Sequence, residues 1–147
     1  MEVRNKQGIG AVSYFKQKEF KCKCGECKPP IQGETPKRLV EERQDKWVKD
    51  KLIEKLDILR GFVGEPLHVV SGYRCPKYNE KVGGVKLSQH KRSTAADLAL
   101  PKEMSRSEFN KICKKVFFDG GVGTYPGFTH VDVRGHKARW NRILINV

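Results

Sequence analysis

The sequence predicts a single domain of the α+β class, in which a mostly antiparallel sheet is flanked by helices. Its 147 residues suit one domain with one core. The apolar patterns predict the order helix, strand, strand, helix, hairpin, and a chain without regular strand–helix alternation favours antiparallel pairing. We expect one domain over 1–147, with residues 1–34 forming an N-terminal arm that carries a Cys-rich loop.

The first half of the chain predicts one long helix and two strands. Between Pro36 and Gly61, apolar residues recur near every 3.6 positions with charges between them, which is typical of an amphipathic helix. The stretch PLHVVSGYR at 66–74 predicts a strand with β-branched residues at its centre. Ala95 to Leu100 predicts a short buried strand.

The second half predicts a capped helix and a hairpin. Ser105 and Glu108 form a capping-box pattern directly before an apolar helical stripe that begins at Phe109. GGVGTY at 120–125 and FTHVDVR at 128–134 then predict two strands joined around Pro126-Gly127.

The composition restricts the possible partners. Thirty Lys and Arg against 17 Asp and Glu leave a net charge of +13, which favours polyanions such as nucleic acid, anionic membrane or acidic wall polymers. No zinc-finger, helix-turn-helix or RNP motif supports specific nucleic-acid recognition. No stretch reaches the roughly 20 apolar residues of a membrane span, and the N-terminus lacks the apolar region of a signal peptide. A basic, solvated surface without a specific partner is an equally open alternative.

The stretch SQHKRSTAADLAL at 88–100 places His90 seven residues before Asp97. On one helix, this spacing separates the two by about 10.5 Å along the axis, whereas ligands of one zinc ion hold their donor atoms about 2 Å from it. A loop that enters a strand at Ala95 brings them together, and the small residues 93–96 allow close folding. The alternative is a surface histidine and an unrelated aspartate at a strand end.

The stretch FTHVDVR adds a third candidate ligand. Side chains of a strand alternate between its faces, so His130, Asp132 and Arg134 share one face and Val131 and Val133 share the other. Burying such a polar row is costly unless its members are paired or bind a metal. His90, Asp97 and His130 therefore predict a catalytic Zn²⁺ site with three protein ligands and a fourth position for water. Asp132, on the same face as His130, is the predicted general base.

Several stretches of the sequence resemble those of a known family. SQHKRSTAADL resembles the S-x-H-x-x-G-x-A-x-D signature of the zinc D-alanyl-D-alanine carboxypeptidases, which include peptidoglycan endopeptidases and share their fold with the signalling domain of hedgehog proteins. LDILRGFVGEPLHVVSGYRCPKYNEKVGGVKLSQH and GGVGTYPGFTHVDVRGHKARW resemble the segments before and after that signature. The resemblance implies a zinc peptidase that cuts stem or cross-link peptides with D-amino acids in peptidoglycan, as a carboxypeptidase or an endopeptidase.

The resemblance also implies roles for individual residues. His90, Asp97 and His130 correspond to the zinc ligands, Arg74 in SGYR to the group that holds a substrate carboxylate or the tetrahedral oxyanion, and Ser88 to a residue lining the site. Apart from the resemblance, Tyr125 is predicted to form a wall of the substrate cleft. His136 is predicted to line the cleft or to be exposed, and Trp140 to close the core, with substrate stacking as the alternative.

Two positions depart from the family pattern. The signature glycine is Ser93 here, which costs a little if that backbone needs a positive φ. Several relatives carry Asp or Glu three residues before the last histidine, where this chain has Gly127. The alternative ligand follows from relatives with an H-x-H pair whose second member binds zinc: by analogy Asp132 would bind zinc, with His130 behind it. A non-catalytic binding module of the same fold is the alternative function.

The five cysteines fall into two groups. Cys113 lies on the apolar stripe of its helix and is predicted to be a buried, inert thiol. Cys22, Cys24, Cys27 and Cys75 predict disulfides, a structural four-Cys zinc site or free thiols. Cys22 and Cys24 are too close in sequence to pair comfortably, so a disulfide would connect the loop to Cys75.

The expected setting follows from the resemblance and the charge. We expect a monomer, made in the cytoplasm, that acts at the bacterial cell wall and whose basic surface also contacts anionic wall polymers. Without a visible signal peptide, a phage-type lysin released by lysis or a protein exported by a non-classical route is expected.

Overall fold

The structure of the protein is a computed structural model, and it describes residues 13–32 and 45–143. Within those segments the chain forms three α-helices, five strands and two short 3-10 helices. The helices are α1 Asp50–Val63, α2 Pro76–Lys81 and α3 Arg106–Val116, and the 3-10 helices are Gln17–Phe20 and Gln89–Arg92. The strands are β1 Val69–Ser71, β2 Ala95–Ala99, β3 Gly121–Thr124, β4 Phe128–Asp132 and β5 Ala138–Asn141.

The strands form one sheet in the order β1-β2-β4-β3-β5. Neighbours pair antiparallel except β3 and β5, which run parallel. This confirms the predicted α+β class, with a mostly antiparallel sheet flanked by helices, and the predicted β3–β4 hairpin. The short α2 and the edge strand β5 were not predicted, because neither has enough apolar residues to show a period.

The predicted long helix is shorter than its apolar pattern. Residues 36–44 of that prediction lie outside the described residues, and 45–49 are not helical, since Lys46 pairs through its backbone with Ile31. The helix begins at Asp50 and ends at Val63, where Gly64 adopts a left-handed φ of 78° and donates its N–H to Arg60. The buried Trp47 and Val48 continued the apolar pattern without being helical, because burial alone does not require a helix.

The core lies between the helices and one face of the sheet. Leu52, Leu56 and Leu59 of α1 meet the apolar stripe of α3, and alternate sheet residues face them. The sheet residues of this core are Ala96, Leu98, Val122 and Val131. Because side chains alternate along β2 and β4, the intervening Asp97 and His130 belong to the opposite face. None of the helices in the described segments is long and apolar enough to cross a membrane.

The described part of the N-terminal arm packs on the domain. Phe15 and Phe20 are buried in the core, and the carbonyl of Phe20 accepts a hydrogen bond from the Tyr73 N–H at 2.9 Å. Residues 1–12 and 33–34 of the predicted arm lie outside the described residues. The arm therefore adds to the core beside β1, next to the segment that carries Arg74.

Candidate metal centre and active site

His90 is positioned by a short 3-10 helix that leads into β2. The Ser88 side chain accepts a hydrogen bond from the His90 N–H at 3.1 Å and caps this turn. Ser93 ends it with a φ of 64°, so the position where relatives carry glycine does require a left-handed backbone. The His90 Nδ1 lies 2.7 Å from the Gly72 carbonyl oxygen. Because a carbonyl only accepts, Nδ1 donates its proton there, and Nε2 is the ring nitrogen that faces Asp97.

Asp97 and His130 face each other on neighbouring strands. They are direct partners in the β2–β4 register, and the Asp97 Oδ1 lies 3.0 Å from His130 Nδ1 and 3.1 Å from His90 Nε2. All three side chains are buried. The loop-plus-strand arrangement predicted from the spacing brings these three residues together.

The donor atoms of His90, Asp97 and His130 fit a zinc ion. They lie within 4.8 Å of one another, and atoms that each bind one zinc at about 2 Å must be at most about 4 Å apart, so small side-chain shifts close the site. Two imidazole nitrogens and one carboxylate oxygen form a donor set that zinc accepts, with a fourth position left for water.

The electrostatics of the cluster favour a cation. Burial by itself raises the pKa of Asp97, but hydrogen bonds from His130 and His90 outweigh it and hold this pKa well below the usual range. Burial lowers the pKa of His130, while hydrogen bonds to Asp132 and Asp97 raise it, and the net change is upward. Positive charge among these carboxylates is thus favoured, whether it comes from a proton or from a metal ion.

Asp132 lies behind His130. Its Oδ2 is 2.7 Å from His130 Nε2, its Oδ1 accepts from the Gly121 N–H at 2.9 Å, and Arg134 donates from Nη2 at 2.8 Å. A Cβ on Gly121 would overlap this carboxylate, so glycine is required there. Burial raises the pKa of Asp132, but the hydrogen bonds from His130 and Arg134 bring it below the usual range. Asp132 is fully buried and is not among the residues that line the neighbouring cavity.

The three candidate ligands open onto a cavity of about 430 Å³. Arg74, Ser88 and Tyr125, which were predicted to meet the substrate, line the same cavity. His136 is exposed after β4 and does not line it, so its predicted role in substrate binding gains no support from its position. The loop between α2 and the second 3-10 helix supplies apolar walls, namely Val82, Val85 and Leu87.

Arg74 is held by several partners at once. Its Nη2 lies 3.4 Å from Asp97 Oδ2, its Nη1 donates to Asn79 Oδ1 at 3.1 Å, and its backbone N–H donates to the His90 carbonyl. The guanidinium is therefore anchored beside a candidate ligand and borders the cavity.

Trp140 lies at the cavity and not in the core, so the prediction that it closes the core is wrong, and its position suits the alternative of substrate stacking. It sits on β5, and its indole is 5.1 Å from the His130 ring and donates from Nε1 to the Tyr125 hydroxyl at 2.9 Å. Gly123 is the register partner of both His130 and Trp140, and a Cβ there would overlap the indole. The glycine thus lets the indole lie across β3. The parallel pairing of β5, which has no local sequence signal, places Trp140 there.

Arg134 lies at the cavity, although the sequence analysis gave it no role in the site. It lines the cavity, and its guanidinium lies 5.1 Å from the centre of the Trp140 ring. The alternation of FTHVDVR places Arg134 on the same strand face as His130, and this pattern could have identified Arg134 as a residue of the site.

The described part of the chain places no free carboxylate on the cavity wall. Among the described residues that line it, Asp97 is the one acidic side chain. Gly127 is exposed in the turn before β4, and Asp119 lies 3.7 Å from Lys55 Nζ, away from the cavity.

A His–Asp–His cluster that opens onto a cavity beside an anchored arginine has the donor set and the open access that a zinc-dependent hydrolase requires. The sequence profile of Peptidase M15 matches residues 13–132, and the chain therefore belongs to this family of zinc metallopeptidases. The match confirms the resemblance seen in the sequence. It covers the three candidate ligands and Asp132, whereas Arg134 and Trp140 lie beyond it. No curated protein matches the chain.

Proposed function

We propose that the protein is a zinc peptidase that cuts stem or cross-link peptides of bacterial peptidoglycan, whose substrates carry D-amino acids and free carboxylates. The observation that carries this proposal is the convergence of His90, Asp97 and His130 on one cavity that Arg74 also lines. Membership of a zinc peptidase family supports the reaction class. The planar guanidinium of an arginine can donate two parallel hydrogen bonds to one carboxylate, which supports a substrate with a free acid group.

Each site residue then has a defined task. His90, Asp97 and His130 hold zinc, which when bound lowers the pKa of a water ligand to about 7 and polarises a carbonyl. The Gly72 carbonyl fixes the tautomer of His90. Arg74 orients the substrate through its carboxylate, and Ser88 holds the turn that presents His90.

Asp132 is proposed to position His130 rather than to act as the general base. Its carboxylate is buried, accepts from three different residues and does not line the cavity, whereas its partners His130 and Arg134 do. A carboxylate that accepts the second N–H of a metal-binding histidine orients the ring and raises its basicity. With Nε2 protonated toward Asp132, the His130 Nδ1 is available to the metal, which also disfavours Asp132 as the ligand.

Tyr125 is the proposed proton donor to the leaving amine. Its hydroxyl accepts the indole N–H of Trp140, and within the described part of the chain no acceptor takes its own proton. Its ring is stacked on Phe128 with centroids 4.5 Å apart, which fixes it at the cavity wall. Tyrosine is among the side chains that serve as general acids.

The described residues that line the cavity include no free carboxylate, and this favours one alternative, a zinc-containing module that binds wall peptides without cutting them. Both functions require zinc and both require Arg74. They differ in turnover, so product formation separates them.

The test is digestion of purified peptidoglycan with and without a chelator. We expect soluble products that disappear with the chelator and return with zinc. Mass spectrometry of these products distinguishes release of a terminal D-amino acid from cleavage within a cross-link. His90→Ala should abolish cleavage together with zinc binding at the His–Asp–His cluster, and His68→Ala, which changes an exposed histidine outside the cavity, serves as the control. Binding to the wall without any product would favour the module, and zinc-free active protein would refute both.

Anionic wall polymers are the proposed second contact. A shallow pocket that shares no lining residue with the cavity is lined by Phe118 and five basic residues, namely Lys111, Lys114, Lys115, Lys137 and Arg139. We propose that it holds teichoic-type polymers while the protein, as a monomer, acts at the cell wall. Binding to walls stripped of these polymers should be weaker and less dependent on salt, because fewer charged contacts remain.

A further inference from the structure

A second cluster of metal-ligating side chains lies outside the candidate active site. The Sγ atoms of Cys22, Cys24, Cys27 and Cys75 all lie within 4.8 Å of one another, and none is in a disulfide. In a tetrahedral site with zinc–sulfur distances of about 2.3 Å, the sulfur atoms are about 3.8 Å apart. The cluster is therefore already close to the geometry of a four-thiolate site.

The backbone around these sulfur atoms points N–H groups at them. The Cys75 N–H donates to Cys22 Sγ at 3.3 Å, the N–H groups of Glu26 and Cys27 donate to Cys24 Sγ, and the Tyr78 N–H donates to Cys75 Sγ. Hydrogen bonds to a charged acceptor are stronger than those to a neutral one. This pattern therefore suits metal-bound thiolates better than the weakly accepting sulfur atoms of disulfides.

The local sequence has the spacing of a structural zinc site. Cys24 and Cys27 form a C-x2-C pair, the ligand spacing of structural zinc sites. Gly25 between them adopts a φ of 80°, which glycine tolerates and which turns the chain so that both sulfur atoms face one point. With Cys22 and Cys75, four protein ligands close the site, leaving no position for a substrate or a water.

The charges around the cluster compensate for four thiolates. One Zn²⁺ bound to four thiolates leaves a net charge of −2. The loop KCKCGECK at 21–28 places a lysine on each side of Cys22 and another directly after Cys27. Lys77, at the start of α2, lies 3.7 Å from Glu26 of the same loop. Basic neighbours lower the cost of this negative charge.

We propose that Cys22, Cys24, Cys27 and Cys75 bind a second, structural zinc ion, which fastens the N-terminal arm to the segment carrying Arg74. Cys75 directly follows Arg74 and is the N-cap of α2, whereas the other three ligands come from the arm. The ion joins two parts of the chain that are about fifty residues apart in sequence, and this constraint stabilises the folded state. The site does not depend on peptidase activity.

The test counts metals in the full-length protein, purified without added metal or chelator. We expect two zinc ions per chain in the wild type, one in His90→Ala and one in Cys27→Ser, with none in the double variant. Cys113→Ala, which removes a buried thiol of α3 outside the cluster, should keep both ions. Cobalt-substituted His90→Ala should show the sulfur-to-cobalt charge-transfer absorption that reports thiolate ligands.

Two measurements on the wild type keep the proposal testable if a cysteine variant does not fold. Protein unfolded without reductant should expose five free thiols, one for each cysteine. A thiol reagent should release one zinc as the four thiols of the cluster react. Fewer free thiols, with the mass loss of a disulfide, would overturn the proposal, as would iron in place of zinc or a His90→Ala protein without metal.

Discussion

Asp132→Asn separates the three roles that this residue can have. The substitution keeps the shape of the side chain and removes its charge. The Asn oxygen can still accept from the Gly121 N–H and from Arg134, as Oδ1 of the aspartate does at 2.9 and 3.0 Å. The amide nitrogen then takes the place of Oδ2 and meets the Nε2–H of His130, where Oδ2 now lies 2.7 Å away. Two donors face each other, so the imidazole loses the partner that fixes its tautomer.

The expected magnitude follows from that lost contact. A hydrogen bond to a charged group contributes about 1.5–3 kcal/mol. Removing the carboxylate behind a metal-binding histidine typically weakens metal affinity by about 10- to 100-fold, or about 1.4–2.7 kcal/mol. The two estimates agree, and both predict a zinc defect rather than a turnover defect. With zinc saturating, kcat should fall by less than about 10-fold.

The assay is competition for zinc with a chromophoric chelator at neutral pH, followed by peptidoglycan hydrolysis at saturating zinc. Asp119→Asn is the control, since this aspartate contacts Lys55 outside the cavity. Unchanged zinc affinity with a loss of about 10²–10⁴ in kcat would show that Asp132 is the general base, contrary to our reasoning. Loss of zinc binding in Asp132→Asn while His130→Ala retains it would instead make Asp132 the ligand.

Four further substitutions test the rest of the site. Arg74→Lys keeps the charge but not the fork, so the KM for wall peptides should rise with little change in Tm; a large drop in Tm at unchanged kinetics would make this residue structural. Tyr125→Phe should lower kcat by about 10²-fold or more while zinc content stays constant, and unaltered kcat would exclude it as the proton donor. Gly123→Ala should destabilise the fold by about 1–3 kcal/mol in urea unfolding and displace the Trp140 indole, seen as a shift in its fluorescence. Ser93→Gly removes a left-handed serine and should raise the free energy of unfolding by up to about 1 kcal/mol, and a clear loss would contradict the strain seen in its φ of 64°.

The sequence alone determined the spacing and the shared strand face of the main cluster, and it indicated the chemistry that these residues can carry. Alternation along β4 assigned His130 and Asp132 to one face. The seven-residue spacing showed that His90 and Asp97 can bind one metal ion only if they do not lie on one helix. These inferences are local, because the period of a strand and the reach of a short loop are properties of consecutive residues. The signature motif then supplied the reaction class, and the family match confirms it.

Tertiary structure decided which groups meet across the sheet. Alternation places His130 and Asp132 on one face without saying which of them borders the cavity; the register with Gly121 and Gly123 buries the carboxylate and leaves the imidazole at the cavity. The parallel pairing of β5 brings Trp140 to His130, and the contact of the arm with β1 brings three cysteines to Cys75. Such contacts join residues far apart in the chain, so they depend on how whole elements pack, and no local pattern in the sequence carries that information.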